Sequence, residues 1–136
     1  MAKFVVDSSV ILDWIVFGDD DKMLVHKLIE QLISKEIELV APGFLIVEII
    51  NVLKWKYSYS QKKIEFVIRH LEQIGIVFVE LGREDWSGLL EAEYKHNLTS
   101  YDAHYALMAE NGGLKVITRD KDLLKSGVGI KIEDVF

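Results

Sequence analysis

The chain of 136 residues contains no cysteine. Disulfides, thiolate nucleophiles and cysteine-ligated zinc or iron–sulfur centres are excluded, and the composition suits a reducing compartment. Its four histidines, His26, His70, His96 and His104, show neither HxxxH nor HxH spacing, which argues against an imidazole zinc site. No apolar run approaches the ~18 residues of a membrane-spanning helix. The start, Met1-Ala2-Lys3-Phe4, enters a strand-like run without the charged, apolar and small-residue regions of a signal peptide. These absences read as a soluble, cytoplasmic protein with no membrane partner. Repeats, low-complexity tracts and linkers are missing too, and with 50% hydrophobic residues the chain fits one domain, 1–136, with a sizeable core. Positive charge is short: 16 Lys and Arg against 22 Asp and Glu give a net charge of −6. Over the surface as a whole that disfavours a nucleic-acid partner.

One segment runs against this balance. Lys54-Trp55-Lys56-Tyr57-Ser58-Tyr59-Ser60-Gln61-Lys62-Lys63 interleaves lysines with aromatics, a combination suited to phosphate contact and base stacking. Its plainer reading is a solvated helix end and turn. Asp19-Asp20-Asp21 reads as an acidic helix start with favourable dipole placement.

Strand and helix patterns alternate, which points to an α/β architecture. A strand over residues 3–6 precedes a short helix from Val10 to Val16 and a turn at Gly18. Residues 21–35 place Val25, Leu28, Ile29 and Leu32 on one helical face. A strand from Ile37 to Val40 leads to the sole proline, Pro42, which with Gly43 opens a helix running to Tyr57. Ser60 caps a helix to Ile74 that Gly75 closes, with Ile64, Val67, Ile68 and Leu71 facing inward. Then come a strand, Ile76 to Leu81, a helix, Glu84 to Lys95, and another, Ser100 to Glu110, ending at Gly112-Gly113. Residues 115–118 read as a strand, Lys121 to Ser126 as a short helix, and Ile130 to Ile132 as a last strand.

Four acids, Asp7, Glu48, Asp102 and Asp120, fall where such a fold turns them toward one sheet edge. Asp7 and Asp120 follow apolar strand runs, and in open parallel sheets ligand sites gather outside the carboxyl ends of strands. Three of the acids also have a plain structural reading. Asp7 and Asp120 can cap the helices after them, and Thr99-Ser100-Tyr101-Asp102 fits a capping box. Glu48 resists that account, because it lies inside a helix with Phe44, Val52 and Trp55 on its face. A carboxylate there needs compensation, from a Lys or Arg or from a metal. An all-oxygen ligand set favours Mg²⁺ or Mn²⁺. Receiver and haloacid-dehalogenase patterns are not met: Asp7-Ser8-Ser9 supplies neither an acidic pair nor Asp-x-Asp.

Four segments together resemble the PIN domain, and most closely its VapC-type toxin ribonucleases. They are Asp7-Ser8-Ser9-Val10-Ile11-Leu12, Glu48-Ile49-Ile50-Asn51-Val52-Leu53, Tyr101-Asp102-Ala103-His104-Tyr105-Ala106-Leu107-Met108-Ala109 and Thr118-Arg119-Asp120-Lys121-Asp122-Leu123. The resemblance implies a Rossmann-like central parallel sheet of four to five strands, ordered 3-2-1-4-5 and flanked by helices. It implies that Asp7, Glu48, Asp102 and Asp120 are catalytic, metal-binding acids. Ser9 and Thr118 match pocket-lining hydroxyls, Asn51 a polar position one turn beyond the Glu, and Arg119 can approach a phosphate. The implied activity is Mg²⁺- or Mn²⁺-dependent endonucleolytic hydrolysis of single-stranded RNA, leaving 5′-phosphate and 3′-hydroxyl ends. The implied partners are a cognate antitoxin and a second copy in a homodimer. Two points stay open: Gly43 stands where a hydroxyl residue is more usual, and Asp122 competes with Asp120. The alternative reading keeps the PIN-like scaffold as an RNA- or protein-binding module with weak or no catalysis.

Overall fold

The structure, a computed structural model, describes residues 1–16 and 22–136. The turn expected at Gly18 and the acidic helix start at Asp19-Asp20-Asp21 lie outside them. The elements alternate as β1 (Ala2–Val6), α1 (Ser8–Ile15), α2 (Lys22–Ile33), β2 (Ile37–Ala41), α3 (Phe44–Trp55), α4 (Gln61–Ile74), β3 (Val77–Phe78), α5 (Trp86–His96), α6 (Ser100–Gly112), β4 (Val116–Ile117), α7 (Lys121–Lys125) and β5 (Gly129–Ile130). All strand pairs are parallel and the sheet order is β3-β2-β1-β4-β5. That is the expected order.

Neighbouring strand residues point to opposite sheet faces, so Val5 and Val6, both 0% exposed, require cover on both sides. Helices provide it: α2 packs on β2, α6 on β1 and β4, and α5 lies against α6. The expected inward stripe of α2 is buried in full, and in α4 Ile64, Val67 and Leu71 are buried with Ile68 half-buried. Ser60 caps α4 by accepting from the Lys63 N–H at 3.2 Å, and Gly75 ends it at φ 93°, a conformation other residues adopt only with strain.

Two strands are shorter than their sequence pattern. The run Ile76 to Leu81 pairs only at Val77 and Phe78, because β2 stops at Ala41 before Pro42, which has no N–H for the ladder. The last strand occupies Gly129–Ile130, and residues 132–134 form a 3₁₀ turn instead of continuing it. Its partner β4 is two residues long, since the chain leaves the ladder after Ile117 to form the turn described below. A side chain at Gly129 would meet the Leu123 carbonyl oxygen at 2.8 Å, so this strand passes hard against α7. The uncertain helix start is settled as well. α3 begins at Phe44, and the Gly43 N–H donates to Glu80 Oε1 at 2.8 Å, in space that a side chain on residue 43 would fill.

Leu39 is 0% exposed in the second strand. Leu39→Ala should lower unfolding free energy by about 2–5 kcal/mol in urea denaturation, whereas Val77→Ala on the exposed edge strand should cost less than about 1 kcal/mol.

Candidate active site

Between β1 and β4 the chain order reverses direction across the sheet. Such switch points leave a crevice outside the carboxyl ends of the strands. Asp7 follows β1 there, and its backbone N–H still reaches the Ile117 carbonyl at 3.3 Å. In an extended conformation Asp7 then caps α1: its Oδ1 accepts from Ser9 N at 3.1 Å, Val10 N at 3.4 Å and Ser9 Oγ at 2.5 Å. Oδ2 accepts from the Thr118 hydroxyl on the neighbouring strand's exit. Thr118 Oγ1 in turn accepts from Asp120 N at 2.9 Å, and Ser9 Oγ from Arg119 N at 3.2 Å. The hydroxyls expected to line a pocket therefore lock two strand exits together.

Capping and convergence coincide at the other acids. Asp120 caps α7, its Oδ1 accepting from Asp122 N at 2.9 Å and Leu123 N at 3.0 Å. Thr99 caps α6 by accepting from Asp102 N at 3.2 Å, which sets Asp102 in that helix's first turn. Asp102 is the electrostatic centre of the group. Burial raises its carboxyl pKa first, then the charge of Asp120, with Asp122 a smaller push and the Thr99 hydroxyl pulling the other way. This ranks Asp120 above Asp122 as its neighbour. Asp102 in turn raises both Asp7 and Glu48. Asp7, 5% exposed, is lifted by burial to about 6, against the lowering pull of the Ser9 and Thr118 hydroxyls and the Val10 N–H.

Glu48 is where the sequence reading needs correction. The core face of α3 is Leu45, Ile49 and Leu53, and Glu48 sits at its border with Val47 and Trp55 open to solvent. The helix is apolar almost all round, so its sequence does not say which sector the sheet covers. Among the described residues no Lys or Arg pairs with this carboxylate, and the Tyr105 hydroxyl donates to Glu48 Oε1 at 2.7 Å. Burial is the main cause that raises Glu48, partly countered by this bond. Burial and the Glu48 charge push the Tyr105 hydroxyl far upward, so it remains a donor. Tyr105 was not among the expected site residues. Its signal was there, three positions after Asp102 on α6 and hence on the same face.

Among the peripheral candidates, Asn51 is exposed and shares a hollow of about 320 Å³ with Phe44, Val47, Glu48 and Tyr101. The Arg119 guanidinium forms an ion pair with Asp13 of α1. An apolar hollow lined by Trp14, His26, Tyr59, Phe66 and His70 contains none of the four carboxylates.

Among the described residues, none of the four acids is paired with a Lys, Arg or His. Nor do any three of the described His, Asp and Glu side chains form a ready-made metal cage. The two facts agree with the field: carboxylates about 4 Å apart repel by roughly 4 kcal/mol at an effective dielectric near 20, so the group stands apart as an open basin. Such a basin suits a hard cation that keeps several waters and takes one or two carboxylates, as Mg²⁺ does. Asp7 Oδ2, with one hydroxyl donor, retains acceptor capacity toward it.

Residues 4–127 match the PIN domain model. The chain belongs to the PIN domain family. Over 61 residues it is 36% identical to the exonuclease VapC9 of Pyrobaculum aerophilum, a stretch covering 45% of this chain and 46% of that protein. The match thus spans about half the relative's length. Two crystal structures share the fold. PAE2754 from Pyrobaculum aerophilum superposes with a TM-score of 0.68 at 24% identity, over 98% of this PIN domain and 93% of that chain. FitAcB from Neisseria gonorrhoeae gives 0.61 at 18% identity, over 94% and 96%.

The raised Asp7 carboxyl makes the folded protein bind more protons than the unfolded chain between their two pKa values, so stability falls as pH rises from about 3.8 to about 6. In EDTA, Asp7→Asn should therefore stabilise the PIN domain at pH 7.5 by about 1–3 kcal/mol, with no gain below pH 4, as read by chemical denaturation at both pH values.

Proposed function

We propose that this PIN domain is a divalent-metal-dependent endoribonuclease that hydrolyses phosphodiester bonds of single-stranded RNA. The observation that carries the reading is the set of acids centred on Asp102, unpaired by any basic side chain among the described residues and placed at the switch point of the sheet. Asp7, Glu48, Asp102 and Asp120 would hold Mg²⁺ or Mn²⁺. A divalent cation bound there supplies the positive charge that a scissile phosphate and its attacking water require.

The protein's own part is positioning. Ser9 and Thr118 fix both oxygens of Asp7, and the cap of α7 fixes Oδ1 of Asp120. Tyr105 aims Glu48 and leaves it able to take a proton from water, since burial raises its affinity for one. Glu48 lines an open hollow with the exposed Asn51 and Tyr101, so a strand can lie across it without threading an end. That openness supports internal cutting, although the VapC9 relative is named an exonuclease. The likeness to VapC9 and FitAcB supports a toxin–antitoxin pair, in which a small antitoxin sets an arginine against these carboxylates. The exposed apolar row Trp86, Leu90 and Tyr94 on α5 supports a homodimer.

Purified protein should cut linear and circular single-stranded RNA with Mg²⁺ or Mn²⁺ and not with EDTA, and folded Asp7→Asn and Glu48→Gln should each lose at least about 100-fold in rate. Cutting of linear RNA alone would sink the endonuclease assignment. Cutting that survives in both variants would move the activity away from these acids.

Tyr105→Phe keeps the ring in the core and removes the donor to Glu48. Its cleavage rate should drop by about 10–100-fold, with an unfolding free energy within about 1.5 kcal/mol of wild type. An unchanged rate would show that Tyr105 does not position Glu48.

A further inference from the structure

Glu48 lies in the second turn of α3, and Trp55 follows it by seven residues. Seven residues are close to two helical turns, so both fall on nearly one face, about 10 Å apart along the axis. Asn51, between them, is exposed, and Trp55 is 72% exposed although it ends an apolar helix. The Lys54 ammonium sits 4.6 Å from the Trp55 ring centre, and Lys56 lies 5.5 Å from that of Tyr57, which is also exposed. Residues 49–64 carry four lysines, Lys54, Lys56, Lys62 and Lys63, and no Asp or Glu, in a chain of net charge −6. None of the four takes part in an ion pair among the described residues.

We infer that the end of α3 is a binding track for single-stranded RNA, on which unpaired bases stack against Trp55 and Tyr57 while Lys54 and Lys56 meet the phosphates. The track leads along α3 past Asn51 to Glu48. This rests on the nuclease reading of the acidic basin and adds to it a place for the strand on either side of the cut. Charge selects the partner: a polyanion is repelled by most of this surface and attracted here. Open aromatic faces select the single strand, because a duplex hides its bases in the stack.

The test uses the full chain, EDTA to prevent cutting, and a fluorescein-labelled oligouridylate of about twelve nucleotides, within the usual site size for single strands. Anisotropy across a salt series should show Trp55→Ala weakening binding by about 5- to 150-fold with the salt slope unchanged, and Trp55→Phe keeping most of the affinity. The double variant Lys54→Gln, Lys56→Gln should lower the slope by about 1.4, at about 0.7 per phosphate contact. In the cleavage assay the same variants should raise KM and leave kcat alone. If the wild type cuts RNA and these variants bind and cut as it does, the track is wrong and the nuclease reading stands. If the wild type binds through Trp55 but cuts nothing, the track stands and the nuclease reading fails. Absence of binding by the wild type, equal binding of a duplex, or a loss of affinity that follows loss of a dimer in sedimentation would each overturn the track.

Discussion

Asp7 stands in the middle of the sheet, at the carboxyl end of β1, with almost no contact with solvent. Its two oxygens have separate duties. Oδ1 takes the free N–H groups at the start of α1, and Oδ2 takes the Thr118 hydroxyl from the exit of β4, 111 residues away in sequence. Through Ser9 and Thr118 the same small network anchors the backbone of Arg119 and Asp120. Two strand ends and two helix starts are thereby held at one point. Move that carboxylate and the geometry of β1, β4, α1 and α7 at the crevice moves with it.

Burial makes the arrangement costly. A carboxylate removed from water and placed near Asp102 holds its proton more tightly than it would in the unfolded chain. The fold tolerates this strain because hydroxyl and amide donors surround the group, and because like charges are kept apart in an open basin instead of a closed cage. Among the described residues the four acids have no basic partner while the end of α3 gathers lysines, so the surface holds neighbouring regions of opposite charge.

Capping and convergence on one sheet edge turned out to be compatible. Asp7 and Asp120 are helix caps, and Asp102 follows a threonine cap, as local sequence rules require. In a parallel sheet each cap after a strand lies at the carboxyl edge, so obeying the local rule delivers the acid to the crevice. Glu48 arrived differently. Its spacing within the helix was legible, but its partner was not, because Tyr105 lies 57 residues away on another helix and only packing brings its hydroxyl within reach. Arg119 shows the same limit: only the fold reveals that it pairs with Asp13.

The sequence by itself determined the alternation of elements, the inward stripes of α2 and α4 and the caps, since each depends on residues within a few positions of one another; its lack of cysteine excludes thiol chemistry. Through its resemblance to the PIN domain it also anticipated the strand order. Tertiary structure alone decided where β3 and β5 end, which side of the apolar helix α3 faces the core, and which donors hold Asp7 and Glu48. Those outcomes depend on what lies opposite a residue in space: a ladder ends when its partner strand ends, and a buried carboxylate takes the donor that packing supplies.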